Sequence, residues 1–157
     1  MEFIVDNIDK TIKIGFNIGK LSREGDIICL IGDLGTGKTH ITKGIALGLG
    51  INENITSPTF NIVNEYEGRH RLYHFDVYRV NDPDEISAIG FDEYIFSNGV
   101  SVIEWANYIK DLIPEEHIEI IINKLPEMGD NYRKIQVNFW GKRYDYIKEI
   151  KLWRYLV

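Results

Sequence analysis

Residues 32 to 39 read Gly32-Asp33-Leu34-Gly35-Thr36-Gly37-Lys38-Thr39, a complete match to the pattern G-x-x-x-x-G-K-[ST]. The apolar run Ile27–Ile31 directly precedes this stretch and is predicted to be a buried strand. In a loop of this kind, successive backbone N–H groups point inward at phosphate oxygens, and glycines permit an approach that a Cβ atom would block. The helix predicted to begin near Gly37 directs its unpaired N–H groups at the same anion. The stretch therefore predicts a nucleotide-binding site between a strand and a helix.

The bulk composition indicates a single acidic domain. The chain has 157 residues, 44% of them apolar, and a formal net charge of −6. This length predicts one compact domain over residues 1–157 with a sizeable core. Acidic and basic residues are interspersed along most of the chain, so tight direct binding to a nucleic-acid backbone is disfavoured. Cys29, the one cysteine of the sequence, lies within the apolar run and is predicted to be a core residue without a disulfide partner.

The sequence predicts neither a targeting segment nor a membrane span. Residues Met1–Asp6 lack the basic start and the apolar stretch of a secretion signal. No apolar run approaches the length of about 20 residues that spans a bilayer. We therefore expect a cytoplasmic protein that makes no membrane contact.

The order of predicted elements indicates the fold class. Apolar residues at helical spacing predict a helix from Ile8 to about Leu21 and another from the phosphate loop to Gly48. Two short helices are predicted after Asp82 and Gly90. Strands are predicted at residues 27–31, 60–66, 71–77, 100–103, 117–122 and 134–139. This mixture predicts an α/β domain of three layers, like the P-loop nucleotide hydrolases, with a sheet that is partly parallel and partly antiparallel.

The last segment, residues 142–157, is predicted to be a C-terminal amphipathic helix. Its apolar residues recur at helical spacing, at Tyr146, Ile150, Trp153 and Val157. Because the same segment is rich in lysine and arginine, two interpretations stay open. The helix either covers the sheet or contacts a partner or tRNA.

Hydrolysis or transfer needs groups beyond the phosphate loop itself. Lys38 is predicted to reach the terminal phosphates, and Thr39 is predicted to bind magnesium through its hydroxyl. Glu104 ends the apolar strand at 100–103, the position where parallel strands deliver side chains to a ligand crevice. Asp76 lies between two apolar residues of a predicted strand, where an acid needs a partner or an ion. Both acids are candidates for holding the metal shell or orienting the attacking oxygen.

Each of these features also has an ordinary structural interpretation. Glu104 is alternatively a solvated acid at a strand end, and Asp76 alternatively pairs with Arg71 or Arg79. Ser57–Phe60 offers two hydroxyls beside a proline that restricts the backbone. This segment is either a switch that senses the terminal phosphate or a simple turn into the next strand.

Several motifs taken together resemble those of one bacterial family. They are residues 32–39, Ser57–Phe60, the Tyr-His-Phe-Asp-Val-Tyr-Arg run at 73–79, the Asp-Pro-Asp-Glu run at 82–85, Gly90 and Ile103–Trp105. In this order and at this spacing they closely resemble the TsaE family, also called YjeE, over the chain from Thr11 to about Gly141. The resemblance implies an ATPase needed to form N6-threonylcarbamoyladenosine at position 37 of tRNA.

The resemblance also implies cofactors and site residues. ATP is the implied nucleotide, with Mg²⁺ held by Thr39 and Glu104, while Asp76 supports the reacting water or the metal shell. The family places a threonine of the first helix and an arginine of a late hairpin near the nucleotide, which correspond to Thr11 and Arg133. The implied catalytic residues are Lys38, Asp76 and Glu104. The complete predicted nucleotide-binding set is Thr11, Asp33, Leu34, Gly35, Thr36, Gly37, Lys38, Thr39, His40 and Arg133.

Partners follow from the same resemblance. TsaE-like proteins join a heterodimer of two related sugar-kinase-like subunits, TsaD and TsaB, in which TsaD carries the transfer chemistry on tRNA. ATP binding and hydrolysis in TsaE reset that complex between turnovers. The resemblance therefore implies a weak ATPase that is active mainly within its complex. It also implies contact with tRNA through the partners, which suits the acidic charge of the chain.

The residues leave two other functions open. A small-molecule kinase shares the phosphate loop and the fold class, and usually closes an arginine-bearing lid, for which Arg69, Arg71 and Arg79 are available. A nucleotide-gated adaptor with little hydrolysis of its own would use Ser57–Phe60 and the helices near residues 82–96 to signal its bound nucleotide to a partner.

Overall fold

The computed structural model describes residues 1–58 and 61–148. Its strands are Glu2–Val5 (β1), Ile27–Ile31 (β2), Val63–Tyr66 (β3), Leu72–Asp76 (β4), Val100–Glu104 (β5), His117–Lys124 (β6) and Arg133–Trp140 (β7). Its α-helices are Ile8–Leu21 (α1), Lys38–Gly48 (α2), Pro83–Ala88 (α3), Phe91–Ile95 (α4) and Asp145–Lys148 (α5). Ala106–Leu112 and Lys142–Tyr144 form 3-10 helices. In this described part of the chain, no helix has the length and apolarity needed to cross a membrane.

The seven strands of the described chain form one sheet in the order β1-β7-β6-β2-β5-β4-β3. The four central strands, β6, β2, β5 and β4, run parallel to one another. β3 joins β4 antiparallel at one edge, while β7 joins β6 antiparallel toward the other edge, where β1 pairs with β7. The predicted α/β domain with a mixed sheet is therefore confirmed.

Helices cover both faces of the central strands. β2 is apolar throughout, as expected for a strand that is buried on both sides. Ile28 and Leu30 pack into a core shared with α1 and α2, whereas Ile27 and Cys29 pack with α3 and α4 on the opposite face. Burial raises the pKa of the Cys29 thiol, which keeps the thiol protonated and unreactive. The three predicted layers and the core position of Cys29 are both confirmed.

Two elements of the structure were not predicted from the sequence. β1 is a strand of four residues that pairs with β7, in a register that sets Glu2 opposite Gln136. A local sequence pattern does not reveal a partner so distant along the chain. The 3-10 helix Ala106–Leu112 begins after Trp105, whose φ of 63° turns the chain sharply away from β5. Elsewhere the predicted strands and helices occur within a few residues of their predicted bounds.

The predicted C-terminal helix at 142–157 lies only partly within the described residues. There the chain forms the second 3-10 helix and a single turn, α5. Tyr144 and Ile147 are fully buried in the core that α1 and α2 share, so this part of the segment covers that face of the sheet. Residues 149–157 lie outside the described residues, and a continuous helix remains a prediction.

Glycines bring α1 and α2 into backbone-to-backbone contact. A Cβ atom added to any of four glycines would lie 2.1 to 2.3 Å from a carbonyl oxygen of the other helix. These glycines are Gly15 and Gly19 of α1 and Gly44 and Gly48 of α2. The contact holds the first turn of α1 beside the loop that precedes α2, and both line the same cleft.

Replacing Gly19 by alanine is expected to destabilise the protein by about 1–3 kcal/mol, because the new Cβ would lie 2.1 Å from the carbonyl oxygen of Ile45. Helix propensity alone predicts the opposite sign, a stabilisation of about 1 kcal/mol. Urea unfolding measures the difference, with Lys13→Ala on the exposed side of α1 as the control. A Gly19→Ala protein as stable as the unmodified chain would mean that the two helices do not meet this closely.

Candidate nucleotide-binding site

A cleft of about 520 Å³ opens where β2, β4 and β5 end and where α1 and α2 begin. Ligand crevices of parallel sheets form at this end of the strands, and the volume lies within the usual range for small-molecule sites, about 300–1,000 Å³. The predicted site residues that line the cleft are Thr11, Leu34, Gly35, Thr36, Gly37, Lys38, Thr39, His40, Asp76, Glu104 and Arg133. Asp33 is exposed beside the cleft, outside its lining, and contributes its backbone carbonyl to the loop.

The phosphate loop has the backbone that its glycines predict. Gly35 and Gly37 have positive φ angles of 77° and 113°, which only glycine adopts at little cost. A Cβ on Gly32 would lie 2.6 Å from the carbonyl oxygen of Ile122, so the loop could not pass β6 with a larger residue there. The Thr36 hydroxyl donates to the Asp33 carbonyl at 3.0 Å and closes the turn.

The Lys38 side chain is held inside the loop. Its Nζ donates to the carbonyl oxygens of Gly32 and Asp33 at 2.7 and 2.8 Å, and lies 4.0 Å from the centre of the Trp105 ring. Burial lowers the pKa of the Lys38 ammonium, and the nearby Glu104 carboxylate opposes that shift. A buried cation at the start of a helix complements a polyphosphate anion.

Thr39 and Glu104 meet at the same end of the cleft. The Thr39 hydroxyl donates to Oε1 of Glu104 at 3.3 Å and lies 3.2 Å from the Ser57 hydroxyl. Glu104 is only 2% exposed, so the alternative of a solvated acid at a strand end is wrong. Ser57 lies in the segment predicted as a possible switch. Because Thr59 and Phe60 lie outside the described residues, the switch remains a prediction.

Asp76 lies beside Glu104 on the neighbouring parallel strand, and the two residues are directly opposite in the sheet register. Its Oδ1 accepts a hydrogen bond from the Tyr78 backbone N–H at 3.0 Å. Burial raises the pKa of Asp76, and the neighbouring Glu104 raises it further. Arg71, one of the two arginines predicted as an alternative partner, instead pairs with Glu67.

The oxygen ligands at this end of the cleft suit magnesium. Mg²⁺ prefers hard oxygen ligands and is commonly held by one or two protein groups together with substrate phosphates. The Thr39 hydroxyl and the Glu104 carboxylate supply such oxygens within hydrogen-bonding distance of each other. Among residues 1–58 and 61–148, no cluster of three or more acidic, histidine or cysteine side chains provides an all-protein metal site. The hydroxyl and carboxylate oxygens fit an ion that is shared with a bound phosphate.

The first turn of α1 and the start of β7 form the opposite side of the cleft. Thr11 is buried there, and Nε of Arg133 donates to the Thr36 carbonyl at 3.0 Å, which ties β7 to the phosphate loop. Four further residues line the cleft and were not predicted as site residues from the sequence: Asn7, Ile8, Asp9 and Asn131. The only local signal was the capping role of Asn7, whose side chain accepts from the Lys10 N–H at 2.9 Å.

Trp105 separates the cleft from an aromatic cluster. It is a non-glycine residue with a left-handed φ, and its backbone N–H donates to the Leu30 carbonyl at 3.1 Å. Its ring contacts Tyr78 and Tyr108 at centroid distances of 4.6 and 5.4 Å. The strained backbone directs the indole between Lys38 and these tyrosines, so Trp105 is both a packing residue and part of the cleft wall.

Comparison with known proteins points to one family. The family model described as "Threonylcarbamoyl adenosine biosynthesis protein TsaE" matches residues 5–135. The protein named TsaE in Bacillus subtilis (strain 168) is 42% identical over 144 residues, which cover 91% of this chain and 88% of that protein. The TsaE protein of Treponema pallidum (strain Nichols) is 40% identical over 137 residues, or 87% and 99% of the two chains.

The fold agrees as well. The crystal structure of Bacillus subtilis YdiB superposes with a TM-score of 0.83 at 36% sequence identity, covering 99% of this chain and 95% of that one. Both the motifs and the architecture are thus matched along nearly the whole length. The chain belongs to the TsaE family of threonylcarbamoyl adenosine biosynthesis proteins.

Proposed function

We propose that the chain binds ATP together with Mg²⁺ and hydrolyses it slowly to ADP and phosphate. It does so as a cytoplasmic component of the machinery that forms threonylcarbamoyladenosine on tRNA, the process named in the description of its relatives. The observation that carries the proposal is the meeting of Lys38, Thr39 and Glu104 at the phosphate loop. A loop that only binds phosphate needs no buried carboxylate at this position.

Each of these residues has a distinct part in the proposed reaction. The amides of the loop and the Lys38 ammonium neutralise the β- and γ-phosphates and stabilise the charge that develops there. Thr39 and Glu104 would hold the metal ion, which would supply positive charge against the phosphates. Asp76 orients the attacking water or the water shell of the metal, since it lies next to Glu104 in register.

Arg133 and Thr11 have supporting roles in this proposal. Arg133 donates to the Thr36 carbonyl of the phosphate loop at 3.0 Å and to the carbonyl of Asp130, three residues before it in the chain, at 2.7 Å. It therefore positions the phosphate loop against β7. Thr11 is held next to Gly37 by the close packing of α1 on α2, where its small side chain leaves room for the nucleotide.

The described residues give less support to a small-molecule kinase. Two of the three arginines available for a lid make structural contacts. Arg69 donates to the carbonyls of Gly19 and Ser22 at the end of α1, and Arg71 pairs with Glu67. The third, Arg79, is exposed and does not line the cleft. None of these three arginines lines the cleft in the described structure.

We further propose that the partner is a TsaD–TsaB-like heterodimer, through which the chain acts on tRNA. The acidic surface supports this indirect contact, because a net charge of −6 repels a nucleic-acid backbone. A switch in partner binding requires that the partner bind the ATP-bound and the ADP-bound chain with different affinities. Such a switch combines the ATPase and the adaptor in one protein.

The proposal is tested by measuring phosphate release and partner capture together. We expect slow release of phosphate by the chain alone and faster release when the purified TsaD–TsaB pair is added. Capture of the pair by the tagged chain should be stronger with a non-hydrolysable ATP analogue than with ADP. Equal capture in both states would contradict the switch. A phosphorylated small metabolite with little free phosphate would contradict the ATPase and favour the kinase.

A further inference from the structure

His74 is a buried side chain that the proposed reaction does not use. It lies in β4 with none of its side chain exposed, and its Nε2 is 2.8 Å from Oε2 of Glu104. The sheet register places His74 opposite Val102 and Asp76 opposite Glu104. Because side chains two residues apart on a strand share a face, His74 lies diagonally next to Glu104 on the same face of the sheet.

The two oxygens of the Glu104 carboxylate therefore have different partners. Oε2 meets the His74 ring inside the protein, while Oε1 faces the Thr39 hydroxyl in the cleft. A carboxylate can only accept, so Nε2 of His74 must carry the proton of their hydrogen bond. Nδ1 of His74 is buried and has no hydrogen-bond partner among the described residues. A proton on Nδ1 would therefore be a buried donor without an acceptor, which is unfavourable.

We propose that His74 is a positioning residue for Glu104. By donating from Nε2 to Oε2, it holds the carboxylate in one orientation and leaves Oε1 free for the Thr39 side of the cleft. Groups that hydrogen-bond to a metal ligand commonly fix its orientation. A buried hydrogen bond of this kind orients the carboxylate before the metal binds. The inference depends on the proposed Mg²⁺ and ATP site, and its experiments separate the two.

The protonated nitrogen can be observed directly in the unmodified protein. We expect ¹⁵N NMR of histidine-labelled protein to show a proton on Nε2 of His74, with the resonance assigned by its loss in His74→Gln. An Nε2 that carries no proton would overturn the inference, because the ring would then be unable to donate to the carboxylate. This measurement needs neither nucleotide nor metal.

Two variants test the consequence for metal binding. Glutamine can place an N–H donor near the position of Nε2, whereas leucine fills similar space without one. Calorimetry measures the factor by which Mg²⁺ increases the affinity for ATP. We expect His74→Leu to reduce this factor by about 10-fold or more, and His74→Gln to keep it within about 3-fold of the value for the unmodified chain. ATP affinity in EDTA should be the same in all three, because the phosphate loop is unchanged.

Ser101→Ala is the matched control for removing a buried polar group. Ser101 lies in β5, the strand that ends at Glu104, is 1% exposed, and its Oγ has no partner among the described residues. Its loss should leave the Mg²⁺ effect unchanged. If His74→Leu only lowers the melting temperature and keeps the full Mg²⁺ effect, His74 is structural and the inference is overturned. If the unmodified chain itself shows no Mg²⁺-dependent ATP binding, the proposed function fails as well.

Discussion

Lys38→Ala should lower the affinity for ATP and Mg²⁺ by about 100-fold or more, equivalent to about 2.7 kcal/mol. Hydrogen bonds to charged groups contribute about 1.5–3 kcal/mol each, and the ammonium is the one positive side chain held inside the loop in the described structure. Alanine removes that charge but leaves every backbone amide of the loop in place. Nucleotide-dependent capture of the partner should disappear together with binding.

The fold should survive this change. Lys38 contacts two carbonyl oxygens of its own loop, and burial lowers the pKa of its ammonium. Titration calorimetry measures affinity, and thermal unfolding without nucleotide measures stability. Lys43→Ala is the matched control, because Lys43 carries the same charge on the exposed side of the same helix. Unchanged affinity in Lys38→Ala would remove the phosphate loop from the proposed function.

Glu104→Ala should separate binding from hydrolysis. The loop amides and Lys38 remain, so ATP affinity should fall by less than about 10-fold. Hydrolysis should fall by about 100-fold or more, the range seen when a group that stabilises transition-state charge is removed. The dependence of binding on Mg²⁺ should also weaken, because Thr39 alone would remain of the two proposed protein ligands.

Phosphate release at saturating ATP measures the hydrolysis step, and calorimetry with and without EDTA measures the metal dependence. Glu65→Ala on the exposed side of β3 is the control for removing one acidic residue. Normal hydrolysis by Glu104→Ala would move the metal role to Asp76, which is next to it in register. Loss of folding instead would be visible in the unfolding curve, and Glu104→Gln would then test the same point with less change in volume.

Sequence and structure contributed differently to this site. The phosphate loop was predictable because its function depends on a short contiguous stretch, in which three glycines and one lysine specify backbone shape and charge locally. Glu104 was predictable because it ends a strand that leads into the crevice. Asp76 was predictable because it lies between two apolar residues of a predicted strand, where an acid needs a partner or an ion. Thr11 and Arg133 entered only through resemblance to a family, since neither residue lies in a pattern that identifies a ligand.

The amino-acid sequence by itself determined the class of fold, the position of the anion site and the two acids that face it. Only the tertiary structure decided that His74 lies within hydrogen-bonding distance of Glu104, that Asn7 and Asn131 line the cleft, and that α1 and α2 meet through four glycines. The physical reason is the range of the interactions. Helix periodicity, strand patterning and a phosphate loop depend on neighbours along the chain, whereas these contacts exist only after the sheet aligns strands that are far apart in sequence.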